Sequence, residues 1–369
     1  MKPIVESVYI HIPFCKNICS YCDFSKMFYN KDLVSNYLEA LKKEIKSSYK
    51  GERIKTIYIG GGSPSSLDLY ELNKLKEIIS IFNFNKKIEF TIEVNISDIE
   101  EDKLRFYKNM GVNRISIGIQ TINEKFLKIL NRYHIKDEVI KKINLVKKYF
   151  SNISADFMYG FNTETISDLK NDLDFFKSLD INHISIYSLI LEEHTKLHID
   201  KYKKIDEDKE NKMYYYIIDY LDNIGFNHYE ISNFEKNNNY SRHNLVYWNN
   251  DRYYGFGLGS SGYINNIRYT NTRSIKKYID GRYLLDREII NKNIDMENEM
   301  ILGLRKIQGV SKEVFNNKFS CNIEEVFDIG DLLKNKLLID NGKYIYIPKD
   351  RLYVENSILV KFIGGSKND

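Results

Sequence analysis

The sequence predicts an α/β protein whose larger part is a parallel sheet, followed by a small C-terminal domain. Short β-branched runs alternate with helical patterns through about residue 192. Polar and glycine motifs fall at the ends of the predicted strands, and beyond residue 200 the pattern changes to helices and a hairpin. Six successive strand–helix units imply parallel strands with right-handed crossovers, as in a closed or partly closed barrel.

The parallel part is predicted from periodicity alone. Its strands are expected at Ser7–Ile12, Thr56–Ile59, Ile88–Val94, Arg114–Ile119, Ile153–Tyr159 and His183–Ile190. Amphipathic helices are expected between them, near 32–47, 67–81, 98–109, 123–130, 137–149 and 165–178. In the first helix Leu33, Tyr37, Leu41 and Ile45 follow the four-residue spacing of one buried face.

The rest of the chain is predicted to be less regular. A helix at 207–223 precedes a strand at His228–Phe234, and helices near 295–306, 311–318 and 323–336 precede two short apolar runs. Asn341-Gly342 between those runs, Leu337–Ile339 and Tyr344–Ile347, is a hairpin signal. We therefore predict a barrel at 1–235, a connecting segment at 236–283 and a winged-helix-like domain at 284–369.

Composition narrows the function classes. The formal net charge of the 369 residues is +4, too small to indicate a nucleic-acid partner. No apolar run approaches the roughly 20 residues that span a bilayer, and no secretory signal pattern precedes Cys15. The chain has four cysteines, three of them clustered, which is not a disulfide framework. A cytoplasmic location is expected.

The clustered cysteines are Cys15, Cys19 and Cys22. Three thiolates within eight residues suit a [4Fe–4S] cluster, in which three protein ligands leave one iron open. The alternatives are a zinc site completed by His11 or the distant Cys321, and three unrelated core thiols. Zinc motifs normally use paired cysteine units, and the sequence has no second pair, so we favour the cluster.

Polar side chains follow the other strands. Gly60-Gly61-Gly62 comes after the second strand, where it either lets a ligand approach the backbone or forms a tight turn. Glu93, Gln120 and Asp156 lie at later strand ends, with Arg132 nearby. The ends of parallel barrel strands share one rim, so we expect one site there.

Two further motifs lie in the connecting segment. Gly255-Phe256-Gly257-Leu258-Gly259 lacks the context of a dinucleotide loop and instead indicates a backbone crossing close to the barrel. His243 precedes the only tryptophan, Trp248. From chemistry alone His243 is a structural histidine first, and otherwise an axial haem ligand or a contact to a substrate carboxylate.

Together these strings resemble the radical S-adenosylmethionine (SAM) superfamily, and within it the haem chaperones close to oxygen-independent coproporphyrinogen III oxidase. The matching strings cover residues 7–262, with a weaker match beyond, and are Tyr9–Phe24, Gly60–Ser66, Gly111–Thr121, Leu130–His134, Asp156–Gly160, Tyr229–Phe234 and His243–Trp248. The family fold is a partial (β/α)6 TIM-like barrel, in agreement with the six units.

The resemblance also implies cofactors and their contacts. It assigns the cluster to Cys15, Cys19 and Cys22. It assigns haem to the motif of His243, and SAM to a set at the strand ends that comprises Tyr9, Tyr21, Gly61, Gly62, Ser63, Glu93, Gln120, Arg132 and Asp156.

Two features separate the chaperones from the oxidases. The oxidases carry a further cysteine two residues after the third cluster ligand, where this chain has Phe24, and they have a longer segment before the cluster. We therefore expect a haem chaperone that binds haem and passes it to acceptor proteins. The alternatives are a coproporphyrinogen III oxidase and a zinc-stabilised binding module without radical chemistry.

Overall fold

The computed structural model describes residues 4–365; the outermost residues of the two predicted end domains, 1–3 and 366–369, lie outside the described residues. The strands are, in chain order, β1 Ser7–Ile12, β2 Phe14–Cys15, β3 Met27–Phe28, β4 Arg53–Gly61, β5 Asn83–Asn95, β6 Arg114–Gln120, β7 Asn152–Tyr159, β8 His183–Ser188, β9 Asn227–Glu230, β10 Asn233–Glu235, β11 Tyr254–Phe256, β12 Ser261–Ile264, β13 Ile267–Asn271, β14 Leu284–Ile289, β15 Val310–Ser311, β16 Ile339–Asp340 and β17 Tyr344–Tyr346.

The α-helices are α1 Lys31–Ser48, α2 Leu69–Ile79, α3 Glu101–Met110, α4 Glu124–Leu130, α5 Lys136–Lys147, α6 Ile166–Ser178, α7 Lys196–Ile199, α8 Glu207–Asn223, α9 Arg242–Trp248, α10 Ile275–Ile279, α11 Lys292–Gly303, α12 Lys312–Phe319, α13 Ile323–Val326, α14 Gly330–Lys334 and α15 Glu355–Leu359. Short 3-10 turns cover Pro64–Ser66, Ile96–Asp98, Lys349–Val354 and Val360–Phe362.

The main sheet has nine strands in the order β11-β1-β4-β5-β6-β7-β8-β10-β9. The six predicted strands, β1 and β4 to β8, are mutually parallel, and helices α1 to α6 connect them. The sheet does not close on itself, because β11 and β9 are its two edges. The predicted α/β class, with six strand–helix units in a partial barrel, is confirmed.

Local signals explain where the helices begin and end. Asn30 caps α1 by accepting a hydrogen bond from the Leu33 amide, and Asp68 and Glu71 form a capping box at α2. Helix α3 ends at Gly111, whose φ of 102° is left-handed. These local signals fix the first residues of α1 and α2 and the end of α3.

Two predictions about regular structure are wrong. The single strand predicted at His228–Phe234 is a hairpin of β9 and β10, because the Glu230 side chain accepts a hydrogen bond from the Ser232 amide and closes a turn. The single helix predicted at 323–336 is two helices. Its break falls at Phe327, which is extended and packs its buried ring against Phe362.

Beyond the predicted elements, the connecting segment contains the helix α9 and the strands β12 and β13, which form a three-stranded antiparallel sheet with β14 just after the segment. Asn265, with a left-handed φ of 54°, lies in the turn between β12 and β13. The sequence pattern around this asparagine is the signal that sequence analysis overlooked.

The glycine-rich segment crosses close to the barrel, as predicted. Gly257 has a φ of 101°, and a Cβ there would lie 2.5 Å from the carbonyl oxygen of His11. Its amide donates to the buried carboxylate of Glu44 at 2.9 Å, and the Leu258 amide donates to the Tyr37 hydroxyl at 3.0 Å. The segment thereby fixes β11 beside β1, parallel to it.

The C-terminal elements pack directly against the sheet. The Ile307 amide donates to the Tyr229 carbonyl, and the Ile231 amide donates to the Arg305 carbonyl, so this part continues the edge at β9. Buried apolar side chains from Val5 to Phe362 form one continuous cluster. The division at residues 235 and 283 stays a prediction. Across residues 4–365 no helix has the length and apolarity that crossing a membrane requires.

Candidate functional site

A cavity of about 780 Å³ opens at the carboxyl ends of the parallel strands. It is lined by every predicted site residue except His243, namely Tyr9, Cys15, Cys19, Tyr21, Cys22, Gly61, Gly62, Ser63, Glu93, Gln120, Arg132 and Asp156. The volume lies within the range of sites for small organic ligands. The structure therefore brings these residues together.

The cysteines lie on a loop that is tied to the barrel. Cys15 ends β2, which pairs with β3, and irregular backbone then carries Cys19 and Cys22. The loop is fastened to Asn131, whose side-chain amide donates to the Ile18 carbonyl at 2.8 Å and whose own carbonyl accepts from the Asn17 side chain at 2.6 Å. The backbone between the cysteines is thus held open toward the cavity.

The three cavity thiols suit an iron–sulfur cluster better than one metal ion. All are free cysteines, and no group of three or more His, Cys, Asp or Glu side chains within residues 4–365 is arranged around a single ion. Thiolates of a four-iron cluster each bind a different iron, so they need not converge on one point. Burial raises the pKa of Cys15 to about 12, and a bound metal centre supplies the positive charge that stabilises a thiolate.

Neither residue proposed to complete a zinc site is available in this structure. Cys321 does not line the cavity and contacts the Met296 sulfur at 3.8 Å. Both ring nitrogens of His11 are engaged, Nδ1 with the Tyr9 hydroxyl at 3.0 Å and Nε2 with the Ser25 carbonyl at 2.7 Å. The zinc alternative therefore loses its fourth ligand.

The glycine segment at the end of β4 is packed against the cysteine loop's entry strand. Gly61 has a φ of 117°, and a Cβ there would lie 2.6 Å from the His11 ring. A Cβ on Gly62 would lie 2.6 Å from the Pro13 carbonyl carbon. The Gly61 amide donates a hydrogen bond to the Glu93 carboxylate at 3.1 Å. The glycines therefore form a tight turn, and they also let the backbone of β4 pass close to His11 and Pro13.

Two partly buried carboxyl groups face the cavity. Glu93 accepts hydrogen bonds from the Tyr58 hydroxyl at 2.7 Å and from the Gly61 amide, while burial raises its pKa to about 7. Burial likewise raises the pKa of Asp156 to about 6. The charge of Asp156 also raises the pKa of Glu93, because like charges in a low-dielectric site repel. A ligand amine or hydroxyl would offset that burial.

Arg132 provides the complementary charge. Its guanidinium donates to the Gly118 carbonyl at 2.8 Å and to the Tyr21 hydroxyl at 3.4 Å, but its buried Nε has no partner among the described residues. A buried N–H without a partner is costly and often indicates a missing ligand. The set of an unpaired guanidinium nitrogen and two carboxyl groups fits an amino acid-bearing cofactor such as SAM.

Ser63 and Gln120 complete the rim. The Ser63 hydroxyl is hydrogen bonded to Ser65 at 2.9 Å and accepts from the Asn95 side chain at 2.8 Å. Gln120 is buried with a left-handed φ of 74°, an uncommon backbone conformation for a residue other than glycine. Both residues line the cavity, Ser63 just after β4 and Gln120 at the end of β6.

The prediction that His243 contacts a cofactor needs correction. His243 lies in α9, is buried and does not line the cavity. Its Nδ1 is hydrogen bonded to the Thr56 hydroxyl and its Nε2 to the Tyr247 hydroxyl, both at 2.8 Å. Neither ring nitrogen is free to bind iron in this structure. The structural interpretation, which chemistry alone put first, describes His243.

Sequence reasoning missed the inner face of β6. Arg114, Ser116, Gly118 and Gln120 all line the cavity, because alternate residues of a strand point to the same side. The two-residue spacing of polar and small residues was the available signal. Of these four residues, the sequence analysis predicts only Gln120 as a site residue.

Comparison with known proteins agrees with this geometry. The family model described as the radical SAM superfamily matches residues 9–176. "Heme chaperone HemW" of Lactococcus lactis subsp. lactis is 38% identical, with 97% of this chain and 97% of that protein covered. "Heme chaperone HemW" of Bacillus subtilis is 35% identical over 98% of this chain and all of its own length (100%).

A solved structure, coproporphyrinogen III oxidase (HemN) from Escherichia coli, superposes with a TM-score of 0.84. It covers 98% of this chain and 90% of its own, at 20% sequence identity, which establishes a common fold. The sequence relatives are closer and match from end to end. This chain belongs to the HemW family of the radical SAM superfamily.

Proposed function

We propose that the chain is a haem chaperone, which holds a [4Fe–4S] cluster and SAM in the cavity, binds haem and transfers it to acceptor proteins. The observation that supports it most is the full-length similarity to proteins named as haem chaperones, at 38% and 35% identity. The cytoplasm is the proposed location, and the acceptors are unidentified haem proteins.

In this proposal Cys15, Cys19 and Cys22 hold the cluster. The remaining rim residues hold SAM, which would lie against the glycine segment between Arg132 and the carboxyl groups of Glu93 and Asp156. When bound, the cluster and SAM supply one-electron and radical chemistry. The chain's own residues orient the ligands and keep bulk water out of the cavity.

The charge arrangement supports an amino acid-bearing ligand at the rim. Arg132 has one unpaired donor, which a carboxylate would accept from. Glu93 and Asp156 are partly buried acceptors whose pKa values are raised by desolvation to about 7 and about 6, and a nearby ammonium group would favour their ionised forms. Donors and acceptors of opposite kinds thus face each other across one cavity.

The mouth of the cavity supports an apolar, planar partner. Phe24 is 66% exposed and Ile190 is 60% exposed, and both line the cavity, as do Tyr187 and Tyr247. Exposed apolar and aromatic side chains at a cavity entrance favour binding of a flat hydrophobic surface such as a porphyrin. Phe24 also occupies the position where the oxidases carry a further cysteine, which favours the chaperone over the oxidase.

One anaerobic experiment tests the proposal against both alternatives. Protein reconstituted with iron and sulfide is titrated with haem, mixed with a haem-free globin, and separately supplied with SAM and coproporphyrinogen III. We expect haem binding and transfer to the globin without decarboxylation of the porphyrinogen. Decarboxylation would identify an oxidase, and stable zinc binding without cluster assembly would identify the zinc module.

A further inference from the structure

The cavity continues well below the rim. Gln120 at the top and Arg114 at the bottom are six residues apart on β6, and both line it. At about 3.3 Å per residue, the backbones of these two residues lie about 20 Å apart along the strand, and the Arg114 side chain still reaches the cavity. Arg114 is not among the residues assigned to the cluster or to SAM, so this part of the cavity lining has no assigned ligand.

Arg114 lies at this floor and lacks a partner. Its side chain is 2% exposed, and its buried Nε has no hydrogen-bond partner among the described residues. Thr91, directly beside Arg114 on β5, also has a buried and unpaired hydroxyl. Thr91 does not line the cavity, whereas Arg114 does, so the unpaired Nε of Arg114 is the donor that points to a ligand able to accept a hydrogen bond.

The charged neighbours of Arg114 do not satisfy it. Glu93 and Asp156 are close enough for their pKa values to be lowered by its charge, but neither forms an ion pair with it within 4 Å. The other polar groups of the floor, His183 and His243, are kept neutral, since burial and then the charge of Arg114 lower their pKa values. A buried guanidinium without a bonded anion is unfavourable unless a ligand supplies one.

We propose that Arg114 forms a carboxylate-binding subsite at the cavity floor, and that its ligand is a propionate of haem. The identity of the ligand rests on the proposed function, whereas the subsite rests on the unpaired Nε of Arg114 in the cavity lining. A guanidinium presents parallel N–H groups that match the two oxygens of a carboxylate. SAM also bears a carboxylate, so the test separates the two sources.

The test compares haem with its dimethyl ester, in which both propionates are neutral. Cluster-loaded wild-type protein, Arg114→Gln and Arg114→Lys are titrated with each ligand and with SAM. Arg282→Gln, which removes an exposed arginine paired with Asp280, is the matched control for loss of one charge. Equal cluster absorbance in all variants shows that each is folded.

We expect wild-type protein and the control to bind haem about 10- to 100-fold more tightly than the diester, the range for a hydrogen bond to a charged group. Arg114→Gln should remove this preference and leave SAM affinity unchanged, and Arg114→Lys should restore part of it. Equal binding of haem and diester by the wild type would overturn the propionate assignment, even if the variants do not fold.

The other outcomes are also distinguishable. A preference that survives in Arg114→Gln would place the propionate elsewhere and refute the role of Arg114. Weaker SAM binding in Arg114→Gln with an unchanged haem preference would assign the subsite to SAM. If the wild-type protein binds neither haem nor its dimethyl ester, the proposed function is refuted. If, in addition, Arg114→Gln binds SAM as tightly as the wild type does, the carboxylate subsite is refuted as well.

Discussion

The rim and the floor of the barrel both bury polar side chains, but they satisfy them differently. At the rim, Arg132 keeps an unpaired Nε and the cysteines remain free. At the floor, Arg114 likewise keeps an unpaired Nε, whereas the two histidines are satisfied: His183 is hydrogen bonded to the Ser154 hydroxyl at 2.7 Å and to the Tyr229 hydroxyl at 2.8 Å, and His243 is paired at both nitrogens in the same way. Unsatisfied groups indicate a ligand, and satisfied groups indicate structure.

The largest expected effect concerns the rim cysteines. Cys15→Ser, Cys19→Ser and Cys22→Ser should each abolish stable cluster assembly, because a hydroxyl is a poor replacement for a thiolate ligand of iron. Iron and sulfide content after anaerobic reconstitution measures this. Cys321→Ser is the matched control, since that cysteine contacts Met296 away from the cavity. An equal loss of iron and sulfide in Cys321→Ser would contradict the assignment of the cluster to the three rim cysteines alone.

The next effect concerns the glycine segment of the rim. Gly61→Ala should lower the free energy of unfolding by about 3 kcal/mol, because left-handed backbone strain adds to a clash with the His11 ring. Gly51 also has a positive φ, of 92°, but a Cβ there meets nothing within 4 Å. Gly51→Ala should therefore cost only about 1 kcal/mol. Equal costs in urea unfolding would show that the close approach at Gly61 is not tight.

A smaller effect concerns the floor and depends on pH. Burial lowers the pKa of His243 to about 3, whereas the unfolded residue titrates near 6.5. As the pH falls below 6.5 the unfolded chain takes up a proton that the folded chain does not, so stability decreases with acidification. This contribution reaches about 2 kcal/mol at pH 5.

His243→Gln removes that titrating group. The difference in unfolding free energy between wild type and variant should therefore shift by about 2 kcal/mol in favour of the variant between pH 7.5 and pH 5. Partly buried carboxyl groups such as Glu93 titrate in both proteins and cancel in the comparison. A difference that does not change with pH would mean that His243 is exposed to protons in the folded protein.

The sequence predicted the rim well because chain-local signals encode it. Cysteine spacing and glycines after a strand are short-range patterns, and the six parallel strands were each placed within a few residues of their observed bounds. The floor was harder to predict. The partners of His243 are Thr56, 187 residues away, and Tyr247, and only the folded sheet reveals that Thr56 reaches the ring.

The burial of Arg114 is a second feature that only the folded sheet reveals. An arginine at the first position of a predicted strand is usually a surface residue, and nothing in the local sequence indicates that it faces the interior. The residue is buried because β6 is a central strand of the nine-stranded sheet, with β5 and β7 on either side of it. Hairpin β9–β10 was missed for a related reason, since its turn depends on one side-chain contact of Glu230.

The comparison between rim and floor is tested most directly by SAM affinity. Calorimetry at pH 7 would be carried out on cluster-loaded wild-type protein, Arg132→Gln at the rim and His243→Gln at the floor. Arg132→Gln should weaken SAM binding about 10-fold or more, through loss of a charge-assisted hydrogen bond, whereas His243→Gln should leave it unchanged. Unchanged affinity in Arg132→Gln, or a comparable loss in His243→Gln, would contradict the assignment of the rim to the cofactor.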